Sequence, residues 1–376
     1  MTRFPRSAAA VLAAVCLQVS TPSGATVLTT YITGDSPGGV PTIFKAVFDP
    51  DVAFSAAVSV VLMTPGISQD GIDFVPGTGS TEVVVGSPSK TIAHFDVVAG
   101  TTLPAFVPDT DAVPGAGSTH PSSVLTTPSH FYYVENQFGF GGGPPHRIMR
   151  VSVGGGPVEV VADGFAIKGV GPALENFEGI EIVGDRMYFF ARDPTDSTKR
   201  ALMSIGLTPA GLWDGAPAVK RLGGLAASGA MAGPADGADE LDFDAASSTL
   251  FGTNIVNGEI IYWDVMTDTG GFLITGADIA GSSDDAGLMA LSREIDGIRA
   301  DGLGHLIVTG RGGVLASIDI AGAFVSADDG DVNVLYDSVL AGSAYVFDDL
   351  TPMAVPAPAS VLLTGLGMVL LRRRVG

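Results

Sequence analysis

Apolar residues along most of the chain come in runs of four to eight, separated by Gly, Asp, Pro and Ser, and long amphipathic helical patterns are almost absent. This predicts an all-β body. One unit recurs. Residues 122–136 run Ser-Ser-Val-Leu-Thr-Thr-Pro-Ser-His-Phe-Tyr-Tyr-Val-Glu-Asn, and residues 179–191 run Gly-Ile-Glu-Ile-Val-Gly-Asp-Arg-Met-Tyr-Phe-Phe-Ala. Residues 241–253 run Leu-Asp-Phe-Asp-Ala-Ala-Ser-Ser-Thr-Leu-Phe-Gly-Thr, and residues 297–309 run Gly-Ile-Arg-Ala-Asp-Gly-Leu-Gly-His-Leu-Ile-Val-Thr. Each reads as strand, polar turn, strand, with a third apolar strand after it, at Arg147 to Val153, Ala201 to Ile205, Glu259 to Asp264 and Val314 to Ile320.

A small sheet cannot bury its faces alone, whereas radially stacked copies cover one another, so the recurrence predicts a β-propeller-like repeat of irregular blades. Tyr345 to Leu350 reads as a closing strand. The alternative is a set of β-sandwich domains. Residues 26–110 follow the repeat least well, with strands at Phe44 to Met63 and Thr81 to Val98, and read as an N-terminal β region or irregular blades. Leu103 to Ser129, with five prolines, is the linker candidate, and residues 111–350 form the propeller-like body. In general terms this body resembles exported bacterial β-propellers whose blades read strand, aspartate-glycine turn, Leu-Tyr strand.

The two ends read as addresses. Arg3 and Arg6 precede the apolar run Ala8 to Leu17, and Ser23-Gly24-Ala25 offers small residues before a cut at Thr26, the order of a secretory signal peptide over residues 1–25. Val15 is too bulky for a lipoprotein signal built on Cys16. Cys16 is the only cysteine, so the mature protein would have no disulfides.

Residues 351–376 hold Val355-Pro356-Ala357-Pro358-Ala359, an uncharged apolar run to Leu371, then Arg372, Arg373 and Arg374. As helix, residues 359–371 would extend about 20 Å, short of the roughly 30 Å hydrocarbon core of a bilayer. Such a hydrophobic helix would cross only with help from its flanks or local thinning, its arginines favouring the cytoplasmic side. This tail resembles the PEP-CTERM family of protein-sorting signals. Ala357 stands where Glu is usual, so the likeness is closer to the variant group reading Val-Pro-Leu-Pro-Ala, VPLPA-CTERM. The resemblance implies export by the secretion translocon, an inner-membrane intermediate and processing by an exosortase-like peptidase. The destination it implies is the cell surface, outer membrane or extracellular matrix, in organisms that make exopolysaccharide. It covers the tail alone and is silent about the body.

A formal charge of -21, becoming -23 without Arg3 and Arg6 and -26 without the tail arginines, argues against nucleic-acid partners. With 46% apolar residues the chain is not a disordered acidic tail.

Candidate chemistry is sparse. Acidic clusters stand at Asp236, Asp239, Glu240, Asp242 and Asp244, at Asp284 and Asp285, and at Asp328, Asp329 and Asp331. Solvated turns account for them; calcium is the one candidate cofactor, though none has EF-hand spacing. The histidines His94, His120, His130, His146 and His305 form no zinc-ligand pair, and no Gly-x-Ser-x-Gly elbow occurs. Gly139 to Gly143 reads as a loop, and Phe131, Tyr132, Tyr133, Phe138 and Phe140 as sheet core, or as a sugar-stacking platform if Tyr132 or Phe138 is exposed.

No catalytic or cofactor-binding residue is assigned and the metal set is unknown. The expected protein is an exported, cell-envelope or matrix-associated β protein with a noncatalytic binding or structural role, its partners polysaccharide or surface proteins. The alternative is an extracellular propeller hydrolase or lactonase-like enzyme, which requires His305 and at least two carboxylates to converge in the central channel.

Overall fold

The computed structural model describes residues 26–353, apart from 68, 88, 111–118, 138–145, 194, 196–199, 226–237, 256–257, 282–284 and 327. The signal sequence with Cys16, the sorting tail, Phe138, Phe140, Gly139 to Gly143, Asp236 and Asp284 therefore lie outside the described residues. No helix among the described residues is long and apolar enough to cross a membrane.

Among the described residues twenty-four strands form six four-stranded antiparallel sheets, the blades of a β-propeller. The first blade holds β1 (Leu28–Ser36), β2 (Val40–Phe48) and β3 (Ala57–Met63). The second holds β4 (Ile72–Phe74), β5 (Glu82–Ser87), β6 (Thr91–Asp96) and β7 (Thr101–Val107), and the third β8 (Thr119–Thr126), β9 (His130–Gln137), β10 (Arg147–Ser152) and β11 (Glu159–Asp163). In the fourth are β12 (Glu175–Val183), β13 (Arg186–Arg192), β14 (Arg200–Gly206) and β15 (Val219–Leu225). The fifth has β16 (Ala238–Asp244), β17 (Thr249–Asn254), β18 (Glu259–Asp264) and β19 (Thr269–Ile274), and the sixth β20 (Ile298–Ala300), β21 (His305–Gly310), β22 (Val314–Asp319) and β23 (Val332–Asp337).

The last strand, β24 (Val346–Leu350), returns to pair with β1 as the innermost strand of the first blade. The ring is thus closed by a sheet made from both ends of the described chain. Thr30 Oγ1 donates to the Thr351 carbonyl at 2.9 Å, and Thr351 Oγ1 accepts from the Tyr31 amide at 3.0 Å, fastening the two ends beside that sheet. Residues 26–110 contribute the outer three strands of one blade and all of the next. The proline-rich stretch 103–129, the linker candidate, instead includes most of β7 and all of β8, strands of adjacent blades.

Why blades form follows from where each face of a strand is buried. Tyr188, Phe189 and Phe190 are consecutive on β13 and all buried, because successive side chains point to opposite faces and each face meets a different neighbour. Phe189 packs with Val134 and Ile148 of the third blade, whereas Tyr188 and Phe190 pack with Ile261 and Trp263 of the fifth. The same division repeats around the ring, giving six apolar layers, one between each pair of adjacent blades. A strand buried on both faces reads as a continuous apolar run.

Candidate functional site

Six inner strands surround the central channel, and each carries one apolar anchor turned into an inter-blade layer: Ile72, Val124, Ile180, Leu241, Ile298 and Leu350. Around these anchors the chain repeats a short motif, reading Asp-Gly-Ile-Asp at 70–73, Ser-Ser-Val-Leu at 122–125 and Glu-Gly-Ile-Glu at 178–181. It continues as Asp-Glu-Leu-Asp at 239–242, Asp-Gly-Ile-Arg at 296–299 and Asp-Asp-Leu-Thr at 348–351. The first position therefore supplies a carboxylate from five of the six blades and a serine from the third.

The second position alternates around the ring between glycine and a side chain. Glycine is required where it occurs. A Cβ on Gly179 (φ +47°) would sit 2.2 Å from the Asp239 carbonyl, and one on Gly71 (φ +79°) would sit 2.6 Å from the Val124 amide. The side chains at the intervening positions reach forward to the next blade. Asp349 Oδ2 accepts from the Gly71 amide at 2.5 Å, and Ser123 Oγ from the Gly179 amide at 2.8 Å. Inner strands are thereby locked edge to edge, with register shifts at β8, β12, β16 and β24 that turn the first-position side chains into the channel.

At this mouth the carboxyl groups crowd. Asp296, fully buried, is within hydrogen-bonding contact of both Asp239 and Asp348. Its Oδ2 accepts from Arg311 Nε at 2.6 Å, and its Oδ1 is buried without an N–H or hydroxyl donor. Asp349 Oδ1 is in the same position. Burial pushes Asp239 well above the usual carboxylate range, and the charges of Asp296 and Glu178 push it further. Asp348 is raised well above that range by burial and by Asp296 and Asp349; Asp349 by burial, Glu240 and Asp296; Asp70 by burial, Glu178 and Asp349. Burial raises Asp296 too, but Arg311 and hydrogen bonds from Asp348 and Asp239 outweigh it and hold this group below its ordinary value.

Cations are fewer. Asp70, Glu178, Asp239, Glu240, Asp296, Asp348 and Asp349 give seven carboxyl groups, against the three guanidinium groups Arg200, Arg299 and Arg311. Burying such an excess of carboxylates as anions would be very costly, so the mouth takes up protons or other positive charge.

A second tier lies deeper. Asp73 accepts from the Thr126 amide and hydroxyl, both at 2.8 Å, and Asp242 Oδ2 from the Ala300 amide at 2.6 Å, each joining its blade to the next. Glu181 stands near Asp242, and its carboxyl is pushed up to about 8, by burial first and then by Asp242. Arg299 runs across the bore, donating to Glu240 Oε2 at 3.1 Å, to the Leu241 carbonyl at 3.3 Å and to the Ile72 carbonyl at 3.5 Å.

Beside the ring, Asn136 at the end of β9 donates to Glu178 Oε1 at 2.9 Å and to the Phe177 carbonyl at 2.7 Å, and its oxygen pairs with His146 Nδ1 at 2.9 Å. With both Asn136 donors facing acceptors, Nδ1 of His146 carries the proton. Burial drives this imidazole down to about 4, leaving it neutral.

Several expectations are corrected by these positions. Asp239, Glu240 and Asp242 are not solvated turn residues: they lie on the inner strand β16 and face the channel. The signal for them was the placing of carboxylates one and two residues before an apolar anchor and one residue after it, which is visible only once the repeats are aligned on the anchor. The other acids stay in turns. Asp244 accepts from the Ser247 amide at 3.0 Å, Asp285 caps a short helix, and Asp328 and Asp331 form a capping box.

His305 is absent from the ring. It follows the turn at the far end of β20, its Nδ1 2.8 Å from Asp301 Oδ2 and its Nε2 3.1 Å from Asp51 Oδ1. His94 pairs with Glu82 at 2.7 Å and stacks on Phe106, and His130 pairs with Ser129 at 2.9 Å. Tyr132 is buried, which removes it as an exposed sugar platform. Among the described residues no three His, Cys, Asp or Glu side chains stand in a geometry ready to hold a metal ion.

No family model matches the chain, and no curated protein matches it. Among solved structures, the chain is similar to one in the nidogen/laminin complex, with 12% identity over 87% of this chain and 98% of that one and a TM-score of 0.57. A putative 6-phosphogluconolactonase from Bacteroides uniformis is 16% identical over 78% of this chain and 79% of its own, with a TM-score of 0.43. The calcium-binding protein regucalcin from Agrobacterium tumefaciens is 11% identical over 67% and 70%, with a TM-score of 0.43. At such identities the likeness concerns the fold alone. The chain is a six-bladed β-propeller with a carboxylate-lined channel mouth.

Proposed function

We propose that this protein is an exported, noncatalytic β-propeller of the cell envelope or extracellular matrix. Its tail is read by an exosortase-like peptidase, and its ligand or surface partner presents positive charge to the channel mouth. The observation that supports this reading is the make-up of the mouth. Among the described residues seven carboxyl groups face three arginines there, and the nearest described histidine, His146, is half-buried and neutral behind Asn136. Such a mouth attracts and holds positive charge. The hydrolase reading required His305 in the channel, and that residue is committed to Asp301 and Asp51 elsewhere.

The test is terminal-peptide and intact-mass spectrometry on the protein from its own host, separated into inner-membrane, outer-membrane and released fractions. Alongside it, turnover of lactones and aryl esters is measured for the wild type and Asp296→Asn. A start at Thr26, a tail lost near Pro358, a surface or released location and no turnover are expected. Retention in the inner membrane with Arg372 to Gly376 intact, or turnover that Asp296→Asn abolishes, would overturn the reading.

A further inference from the structure

All six inner strands run the same way. The chain enters β4, β8, β12, β16, β20 and β24 at the mouth, with Asp70 and Asp296 just ahead of their strands, and leaves them at the opposite end, where the turns after Asp244 and Asp301 lie. β24 therefore delivers the chain to the face away from the mouth. On β1, Asp35 pairs with Val346 and Ile32 with Leu350, so the start of β1 lies on that same far face. Thr30 and Thr351 fasten the two ends of the described chain together there. Only residues 354–358 separate Met353 from the uncharged apolar run that begins at Ala359, and a segment of that length reaches at most about 18 Å.

The exit is flanked by apolar side chains held in the open. Val27 is 43% exposed, Val52 50%, Leu303 53% and Phe54 55%. Leu28 pairs with Phe48, which sets Val27 beside the start of the β2–β3 loop. That loop carries Val52 and Phe54 and is strapped across the sixth blade. The Phe54 and Ala56 amides donate to the Val334 and Leu335 carbonyls at 2.8 and 3.1 Å, and the Ser317 hydroxyl donates to the Pro50 carbonyl at 2.5 Å. His305 Nε2, 3.1 Å from Asp51 Oδ1, brings the β20–β21 turn with Leu303 against the same loop. Phe54 takes a left-handed backbone at φ +54°, a genuine outlier for a bulky residue, with its ring left outside. Met353 packs on the apolar layer that Ala56 also joins, so the chain departs beside this rim. Exposure alone does not choose the face, since Val170 and Val339, on loops at the mouth, are more exposed still. The place where the chain leaves does choose it.

We propose that the far face, through Val27, Val52, Phe54 and Leu303, rests on the lipid surface in which the C-terminal apolar run is seated, and that the carboxylate mouth is thereby turned away from the bilayer. This assignment rests on the proposed reading of residues 359–371 as a membrane segment and supplies the docking surface that goes with it. Apolar side chains on a fixed rim enter the boundary between headgroups and acyl chains. Asp51 is exposed among them, so zwitterionic headgroups suit the rim better than anionic ones. The seven residues of β16 span roughly 20 Å from mouth to far face, which keeps the mouth that much further from the lipid.

The experiment uses the full chain with Cys16→Ser, which makes each introduced cysteine unique. A fluorophore is placed on Val52→Cys or Leu303→Cys at the far face and on Val170→Cys or Val339→Cys at the mouth, and each protein is reconstituted into phosphatidylcholine vesicles containing a headgroup-nitroxide lipid. The chain should float with the vesicles, and quenching at the far face should exceed that at the mouth by roughly threefold, given the ~20 Å between the two. Val52→Asp together with Leu303→Asp, folded by circular dichroism, should roughly halve the quenching of a label on Val27→Cys while flotation persists. Equal quenching at all four positions, stronger quenching at the mouth, or no effect of the paired aspartates overturns the docking face and leaves the proposed function standing. A chain that does not float removes the membrane reading of the tail, and the docking face falls with it.

Discussion

Asp349 and Gly71 are 278 residues apart in the chain and joined by a 2.5 Å hydrogen bond, the carboxylate of the closing strand accepting from the first inner strand of the second blade. One side chain thus links both sides of the seam where the ring shuts. Asp349→Ala leaves the buried Gly71 amide without its partner, at about 1–3 kcal/mol, but also removes one carboxyl from a crowded mouth. The net loss of stability should be about 1 kcal/mol, and Asp349→Asn, which keeps an acceptor, should be neutral or stabilising. Urea unfolding of the three proteins checks the order.

The second-position glycines give a paired test. Gly179→Ala forces a Cβ to 2.2 Å from the Asp239 carbonyl on the neighbouring blade, whereas Gly184→Ala, also at positive φ, meets nothing within 4 Å. The second change should cost only the strain of the left-handed backbone, about 1 kcal/mol. The first must move a whole inner strand and should cost more than about 3 kcal/mol, read as the difference in denaturation midpoints.

Arg299 is the cation on which the deeper tier leans, held by Glu240 at 3.1 Å and facing Asp242 at 4.0 Å. Arg299→Met leaves these carboxylates unpaired in the bore and should destabilise by about 3–5 kcal/mol. Adding Glu240→Gln should recover part of that loss, a coupling that a double-mutant cycle measures directly.

His146 sets a pH dependence of definite sign. Its folded value, about 4, lies below the ordinary 6.5, so the unfolded chain binds a proton that the fold rejects. The stability it contributes is complete above pH 6.5 and declines as pH falls from there toward 4. His146→Gln should flatten that segment of the stability profile, measured by urea unfolding at pH 7, 6, 5 and 4.5.

Much of the fold was legible because its elements are local. Strands such as Glu259 to Asp264 are apolar runs bounded by turn residues, and their spacing near 60 residues marks the blade. The channel was harder to read. Asp239, Glu240 and Asp242 look in the sequence like any acidic turn, because a carboxylate turned into a bore and one turned into water are the same letter. What separates them is position relative to an anchor such as Leu241, and the anchors align only when the six units are stacked. His305 misled for the converse reason: it follows an Asp-Gly turn beside an inner strand, but at the end of β20 away from Asp296. The lock between Asp349 and Gly71 depends on how the two ends of the chain meet, which no local pattern records.

The closing strand also fixes the order in which the molecule can be finished. Five inner strands are made before β24, and until Val346 to Leu350 emerges the nascent protein is an open arc whose terminal apolar faces, among them Phe44 and Leu315, have no cover. An arc of this kind is adhesive, since its unpaired edge and bare layer invite another chain. Asp348 and Asp349 arrive on the same strand that supplies the missing cover, so the mouth acquires its full complement of carboxylates only at the moment of closure. Assembly of the scaffold and assembly of the charged site are therefore a single late event in the life of each new molecule.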